Sequence, residues 1–376
     1  MTGPDTPLAQ RAAAGAATLV GPAAAGTLAP PGAVVGYAVA DERAVAAAGG
    51  QEPGAAEPLA PGLRFDVASV TKAVATTTAV AALVARRALT FDTPVHALLP
   101  SFPGHAGTTV RHLLRHRAGL PAWEPLYLAP GVRDDAAAVL DSVPPQAPLG
   151  AGRTYSDLGF LHLGRVVAAA AAAPLERAVH ELALAPLGVA GAGFRPAAQA
   201  PTGEPAARCA ASAVGDRAER AMVATGEPYP VRWHDEGFAW RTHVLRGEAN
   251  DGNAWHAFGG VAGHAGLFAT VDELLTAALA LARSVAGEGP LPTAVAAELV
   301  APGPDTEQAL GWRRDGDWVW HPGYTGCAVG FLPGRPVAVA VATNRLLPDG
   351  PPVPTATLWR AAVAGLGPLP ALRGAS

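Results

Sequence analysis

The sequence predicts an α+β fold, in which an antiparallel sheet assembled from both ends of the chain is covered by helices and a mostly helical lobe is inserted between its halves. Three observations carry that expectation. Strand-like apolar runs gather near the two termini, helical spacing fills the middle, and half of the 376 residues are hydrophobic while 15% are charged. That is enough apolar material for a large core.

The elements follow in order. Residues 1–28, rich in Ala, Gly and Pro, read as a helix or a flexible lead-in. Ala33 to Ala40 and Arg43 to Ala48 read as two strands of a hairpin. From Val70 the positions Ala73, Val74, Thr77, Ala81 and Val84 recur at helical spacing, which puts Ser69 at the helix N-terminus, where it is also a competent cap. Helical patterns continue over Thr109–His116, Asp134–Leu140, Leu158–Ala172 and Leu175–Ala185, and Ala197–Asn253 reads as a long excursion over the surface. A helix over Val271–Ala286 precedes four strands, at Gly311–Arg314, Trp318–His321, Thr325–Leu332 and Val337–Thr343, with Gly334 in the last turn. Thr355–Leu366 closes the chain as a helix. Residues 29–376 are thus expected to form one domain, with a sheet lobe from 29–68 and 265–376 and a helical lobe from 69–264.

Composition excludes several functions. The formal charge is −4 and no basic block occurs, which argues against a nucleic-acid partner. The longest apolar runs, such as Val166 to Leu175, are about half the roughly 18 residues of a membrane span. Asp5 precedes the first positive side chain, Arg11, and Gly15, Gly21 and Pro22 break the apolar stretches, so no secretory signal is read and a soluble, cytoplasmic protein is expected. Cys209 and Cys327 leave room for one disulfide but not for a zinc site. The oligomeric state is not legible.

Lys72 is the one lysine among 27 basic residues, and it stands in Ser69-Val70-Thr71-Lys72. Arginine does not lose its proton in a protein, whereas a lysine amine can be neutralised by its surroundings. On a helix the two side chains share a face, so Lys72 is in reach of the Ser69 hydroxyl as an activating base. An unperturbed lysine, with a pKa near 10.4, is almost wholly protonated at pH 7, so burial must lower it by about three units or another group must share the work.

Two more segments follow in order, Tyr155-Ser156-Asp157 and His321-Pro322-Gly323-Tyr324-Thr325-Gly326. With Leu113-Leu114-Arg115-His116-Arg117-Ala118-Gly119-Leu120 and Gly260-Val261-Ala262-Gly263-His264-Ala265-Gly266-Leu267-Phe268, they make the chain resemble the serine β-lactamase and penicillin-binding-protein superfamily from about residue 30 to residue 345. The likeness is to its class C-like branch of esterases, D-aminopeptidases and D,D-peptidases. The resemblance implies a β-lactamase/transpeptidase-like fold and an acyl-enzyme that water hydrolyses, with no metal and no organic cofactor. It further implies Ser69 as nucleophile, Lys72 and Tyr155 as the general-base pair, Tyr155 as proton donor to the leaving group, and the backbone N–H groups of Ser69 and Tyr324 as the oxyanion hole. Gly323 fits a backbone that a substrate approaches closely.

Two positions depart from the family's commonest pattern. Asp157 replaces an asparagine, and a carboxylate near Lys72 favours the ammonium unless it is protonated or turned away. Pro322 replaces a hydroxyl-bearing residue. Both changes weaken recognition of a substrate carboxylate, so the expected function is an esterase or amidase acting on neutral or amine-bearing small molecules. The alternatives are a D,D-carboxypeptidase or β-lactamase-type enzyme, and a penicillin-binding-like sensor without turnover. Asp157, His321, Gly323, His264 and Asn253 are the substrate-binding candidates, with His321 facing the cleft and His264 or Asn253 serving either substrate or loop. Asp251, beside Asn253, carries the same ambiguity. His112 and His116 share a helical face but lack a metal motif, and Trp233, Trp240 and Trp255 form either a lid or core. No nucleophile elbow or phosphate loop occurs.

Overall fold

The computed structural model describes residues 6–54, 57–199, 208–235 and 237–369. Eleven strands are present among them: β1 (Gly32–Val39), β2 (Glu42–Gly49), β3 (Phe65–Asp66), β4 (Gly193–Phe194), β5 (Ala211–Val214), β6 (Val244–Arg246), β7 (Leu267–Ala269), β8 (Arg313–Asp315), β9 (Trp318–Pro322), β10 (Ala328–Phe331) and β11 (Val337–Thr343). Six of them form one sheet in the order β2-β1-β11-β10-β9-β8, every neighbour antiparallel. The amino-terminal hairpin is joined to the carboxy-terminal strands through β1 and β11, with Val34 opposite Ala342 and Tyr37 opposite Val339. This is the α+β sheet built from both chain ends that the sequence predicts.

Alternation along β1 and β11 explains the layers. Val34, Ala38, Ala338, Ala340 and Ala342 face the core under helix Val271–Ala286, while Val35, Tyr37, Val339 and Val341 face helices Leu8–Leu19 and Thr355–Leu366. Both strands are therefore buried on both faces, which is why they read as near-continuous apolar runs. Small residues let the Val271–Ala286 helix approach closely, since a Cβ on Gly36 would stand 2.7 Å from Val271. Thr270 and Glu273 form a reciprocal capping box at that helix's start.

The second lobe is built around a buried helix. A π-helical segment, Lys72–Thr77, continues as α-helix Thr78–Ala85, and the segment's residues are all buried. A helix apolar on every side belongs in an interior, and π turns recur at functional sites. Helix Asp157–Ala171 and the helical segment His180–Leu184 pack beside it. No single helix among the described residues is long and apolar enough to cross a membrane; the apolar pair Asp157–Ala171 and Leu175–Leu184 is bent by 80°.

Several features differ from the sequence reading. The described residues between 197 and 253 are more than a surface excursion: they contribute β5, β6 and helix Arg217–Thr225, and Glu219 and Met222 of that helix wall the cleft described below. Helix Thr293–Val300 and the small sheet β3-β7-β4 lie where no element is expected. Cys209 and Cys327 are both buried and are not bonded to each other, so the possible disulfide is not formed.

Candidate active site

Ser69 lies in the turn that enters the buried helix, immediately after Ala68, a non-glycine residue held at φ 46°. That left-handed backbone is costly and persists where surroundings enforce it. Here the enforcing group is Asp66, whose Oδ1 accepts the Ala68 N–H at 2.8 Å. Its Oδ2 accepts the Asn250 N–H at 2.6 Å, and its carbonyl accepts the Thr325 hydroxyl at 2.7 Å. One buried residue thus ties together the serine turn, the 247–253 loop and the turn after β9. Burial raises the Asp66 carboxyl to about 6, against the pull of its two backbone donors.

Lys72 is fully buried one helical turn on, and its Nζ stands 2.8 Å from Ser69 Oγ and 3.1 Å from the His264 carbonyl. Asp157 Oδ1 is 2.7 Å from the same nitrogen, placed for ionic contact but off the line of a well-formed hydrogen bond. Burial alone would lower the lysine, yet Asp157 and Tyr155 outweigh it and the net shift is upward. Lys72 is an ammonium in this arrangement. The lowered lysine that sequence reasoning asks for is not present, because Asp157 is neither turned away nor remote.

Asp157 and Tyr155 reach this point through the start of helix Asp157–Ala171. Ser156 caps it, accepting the Gly159 N–H at 3.1 Å while donating to the Pro121 carbonyl at 2.6 Å. Lys72 Nζ lies 5.1 Å from the centre of the Tyr155 ring, which packs between His116 at 4.5 Å and His321 at 6.3 Å. Burial and then the Lys72 charge push both histidines well below the ordinary range, so both are neutral. His116 Nδ1 accepts the Ser156 N–H, and His112 Nδ1 sits in the cap of its own helix with Thr109, so neither is arranged as a metal ligand.

Ser69, Tyr155, Asp157 and Tyr324 share the wall of a cavity of about 330 Å3 with Trp123, Tyr229, Glu219 and Asp251. Asp251 Oδ1 pairs with His264 Nε2 at 2.8 Å and accepts the Ala254 N–H at 2.8 Å. Burial raises this carboxyl, but His264, the backbone donor and Lys72 outweigh it, leaving it below the ordinary range and ionised. Ligand atoms of Asp157, Asp251 and His264 lie within 4.8 Å of one another, and the Lys72 ammonium already sits against one of them, Asp157 Oδ1, while donating to the His264 backbone carbonyl.

Other expectations need correcting. His321 is buried, does not line the cavity, and donates Nδ1–H to the Pro322 carbonyl at 2.8 Å. Asn253 is also buried away from the cavity, its amide spent on the Leu126 N–H and the Glu124 carbonyl. The close approach at Gly323 is to the chain itself: a Cβ there would stand 2.3 Å from the Val67 carbonyl. That contact seats Tyr324 beside the serine turn. Among the described residues neither the Ser69 nor the Tyr324 N–H is used in the fold's own hydrogen bonds, so the fold spends neither of the two donors expected of an oxyanion hole. His264 is fully buried and does not line the cavity; its carbonyl accepts from Lys72 Nζ and its ring pairs with Asp251. Of the three half-buried tryptophans, Trp233 and Trp255 pack on one hydrophobic cluster and Trp240 on the cluster of Trp123 and Tyr229; none lines the cavity, whose wall takes Trp123 and Tyr229 instead.

Known proteins agree with this architecture. The family model described as beta-lactamase matches residues 23–364. N-acetylmuramyl-L-alanine amidase of Bacillus subtilis (strain 168) is 26% identical over 313 residues, spanning 75% of this chain and 68% of that protein. A putative D-alanyl-D-alanine carboxypeptidase of Salmonella enteritidis PT4 (strain P125109) is 25% identical over 315 residues, 75% of this chain and 69% of that one. The solved structure of SurE superposes with a TM-score of 0.63 at 26% identity, covering 92% of this chain and 75% of its own. A family match of that length, over this fold, makes the chain a hydrolase of the beta-lactamase family.

Proposed function

We propose that the protein hydrolyses small amides or esters that carry an amine, through an acyl-enzyme on Ser69. The observation that carries this reading is the charge of the cavity. Ser69 Oγ is 2.8 Å from a buried ammonium, and the open wall presents Asp157 and ionised Asp251, with no cation among the described residues that line it. A substrate ammonium finds partners there, whereas a substrate carboxylate meets carboxylates. A charge-assisted contact contributes about 1.5–3 kcal/mol, roughly 10–150-fold in affinity. The amidase and carboxypeptidase names of the curated relatives support cleavage of an amide or peptide bond.

In the reaction, Ser69 Oγ attacks the carbonyl carbon and the carbonyl oxygen becomes an anion held by the Ser69 and Tyr324 N–H groups. Lys72, as an ammonium, cannot accept the serine proton in the resting enzyme. Tyr155, whose ring lies beside Nζ, is the group left to relay it: its hydroxyl gives its own proton to the leaving amine or alcohol as it takes the serine proton, and so ends as it began. Water then attacks the acyl-enzyme and releases the acid. Lys72 stabilises the negative charge that passes through this pocket.

The test compares an aminoacyl p-nitroanilide, its N-acetylated form and a chromogenic cephalosporin, each with the native protein and with Ser69→Ala. The free-amine compound should have a kcat/KM at least about tenfold above the acetylated one, and the variant should be inactive. Preference for the cephalosporin would favour the β-lactamase-type reading, and labelling without release would favour a sensor.

A further inference from the structure

A second cavity, of about 270 Å3, opens next to the first and shares three of its lining residues, Glu219, Asn250 and Tyr324. Its walls are fixed. Arg217, at the start of helix Arg217–Thr225, donates to Asp349 at 2.9 Å and to the Leu346 and Pro348 carbonyls at 3.2 and 2.8 Å, which locks that helix to the loop after β11. The charges around it are internally neutralised: Asp216 is paired with Arg241 at 2.6 Å and with His256 at 3.0 Å, and Arg217 with Asp349. Burial and the nearby Asp251 charge raise Glu219 to about 8, so it is uncharged at neutral pH. What remains on the surface is largely apolar, including Ala213, Ala218, Leu346 and Pro352.

Tyr324 stands between the two cavities. It is 48% exposed, one of two large exposed hydrophobics among the described residues, yet it is held in place. The Arg345 guanidinium lies 5.3 Å from its ring centre, and Arg345 Nε donates to its carbonyl at 2.9 Å. A rigid exposed aromatic beside a preformed neutral cavity is the kind of surface that receives an uncharged, apolar or aromatic group.

We propose that this cavity is a subsite for an uncharged, apolar leaving group, so that the substrate is elongated, with its amine end against Asp157 and Asp251 and its other end across Tyr324. The assignment of ends rests on the amine reading above: once the ammonium occupies the acidic wall, the remainder of the chain must leave past Tyr324.

Binding tests the subsite independently of turnover. Affinities of an amino-acid amide, its N-benzylamide and its N-(4-carboxybenzyl)amide would be measured by calorimetry on native protein, Ala218→Trp and Ala221→Trp, with Ser69→Ala present in each to prevent cleavage. Both alanines line the second cavity alone of the two; Ala221 is exposed and tolerates a large side chain. The benzylamide should bind about tenfold tighter than the simple amide, the carboxylate should cancel that gain, and either tryptophan should abolish it while leaving the simple amide unchanged. Equal affinity for the amide and the benzylamide, or a gain that survives both tryptophans, would overturn the subsite. If the N-acetylated amide and N-benzylamide, measured alongside, bind as tightly as the free-amine pair and keep the benzyl gain, the amine reading falls and the subsite stands.

Discussion

Replacing Asp66 with asparagine tests how the serine turn is held. The native carboxylate is 2% exposed and accepts two backbone N–H groups, one from each side of the site. Its pKa stands at about 6, above the ordinary 3.8. A raised folded value means the native state holds the proton more tightly than the unfolded chain. The associated stability is complete below pH 3.8 and is lost as pH rises to about 6, a difference of about 3 kcal/mol that the folded protein carries at neutral pH. Asparagine removes this titration, but its Nδ2 then opposes one backbone N–H, leaving a buried donor unsatisfied at about 1–3 kcal/mol. Near pH 7.5 the two effects offset and the variant should be about as stable as the native protein. Towards pH 4 the native protein alone gains, so the gap should widen by about 3 kcal/mol. Denaturant titrations at pH 4, 5, 6 and 7.5 measure it. Activity should fall at neutral pH by at least about tenfold, because displacement of Ser69 or the 247–253 loop misaligns the attack, and the component of the acid limb near pH 6 should vanish. A stability difference that stays flat with pH, or an unchanged acid limb, would refute the clamp.

Other outcomes follow from the same geometry. Asp157→Asn removes the carboxylate 2.7 Å from Lys72, so the ammonium's pKa falls and the alkaline loss of activity should move to lower pH; an unmoved alkaline limb in the pH–rate profile contradicts the pairing. Tyr155→Phe should lower kcat by about 10²–10⁴-fold in steady-state assays with little change in melting temperature, as expected for a proton carrier. Gly263→Ala would place a Cβ 2.2 Å from the Phe160 carbonyl and shift the backbone that bears the His264 carbonyl; it should cost about 1–3 kcal/mol in urea unfolding and reduce activity as well.

Much of this was legible because the informative residues obey a period. β11 (Val337–Thr343) and helix Thr355–Leu366 are bounded as the sequence predicts, and helix Val271–Ala286 starts where its apolar repeat starts. Ser69 and Lys72 were readable because their spacing is one helical turn. What was not legible has no period. β3 and β4 are two residues long and exist through their partner β7, so no local pattern marks them. Glu219, Met222 and Tyr229 come from a segment of mixed polarity and reach the cavity only through tertiary placement. Asn253 misleads for a related reason: a polar loop residue reads as a ligand contact, but its amide satisfies buried backbone groups. Asp66, three residues before the serine, was an available signal, since a charged residue between Phe65 and Val67 is expensive to bury without partners.

The central claim is that Ser69 carries the acyl group. Intact-mass measurement after rapid mixing with an aminoacyl p-nitrophenyl ester tests it most directly, using native protein and Ser69→Ala in parallel. The account predicts a transient adduct of the acyl mass that maps to Ser69, decays with release of the acid, and is absent from the variant together with turnover. Equal turnover in both proteins, or an adduct that maps elsewhere, would contradict it.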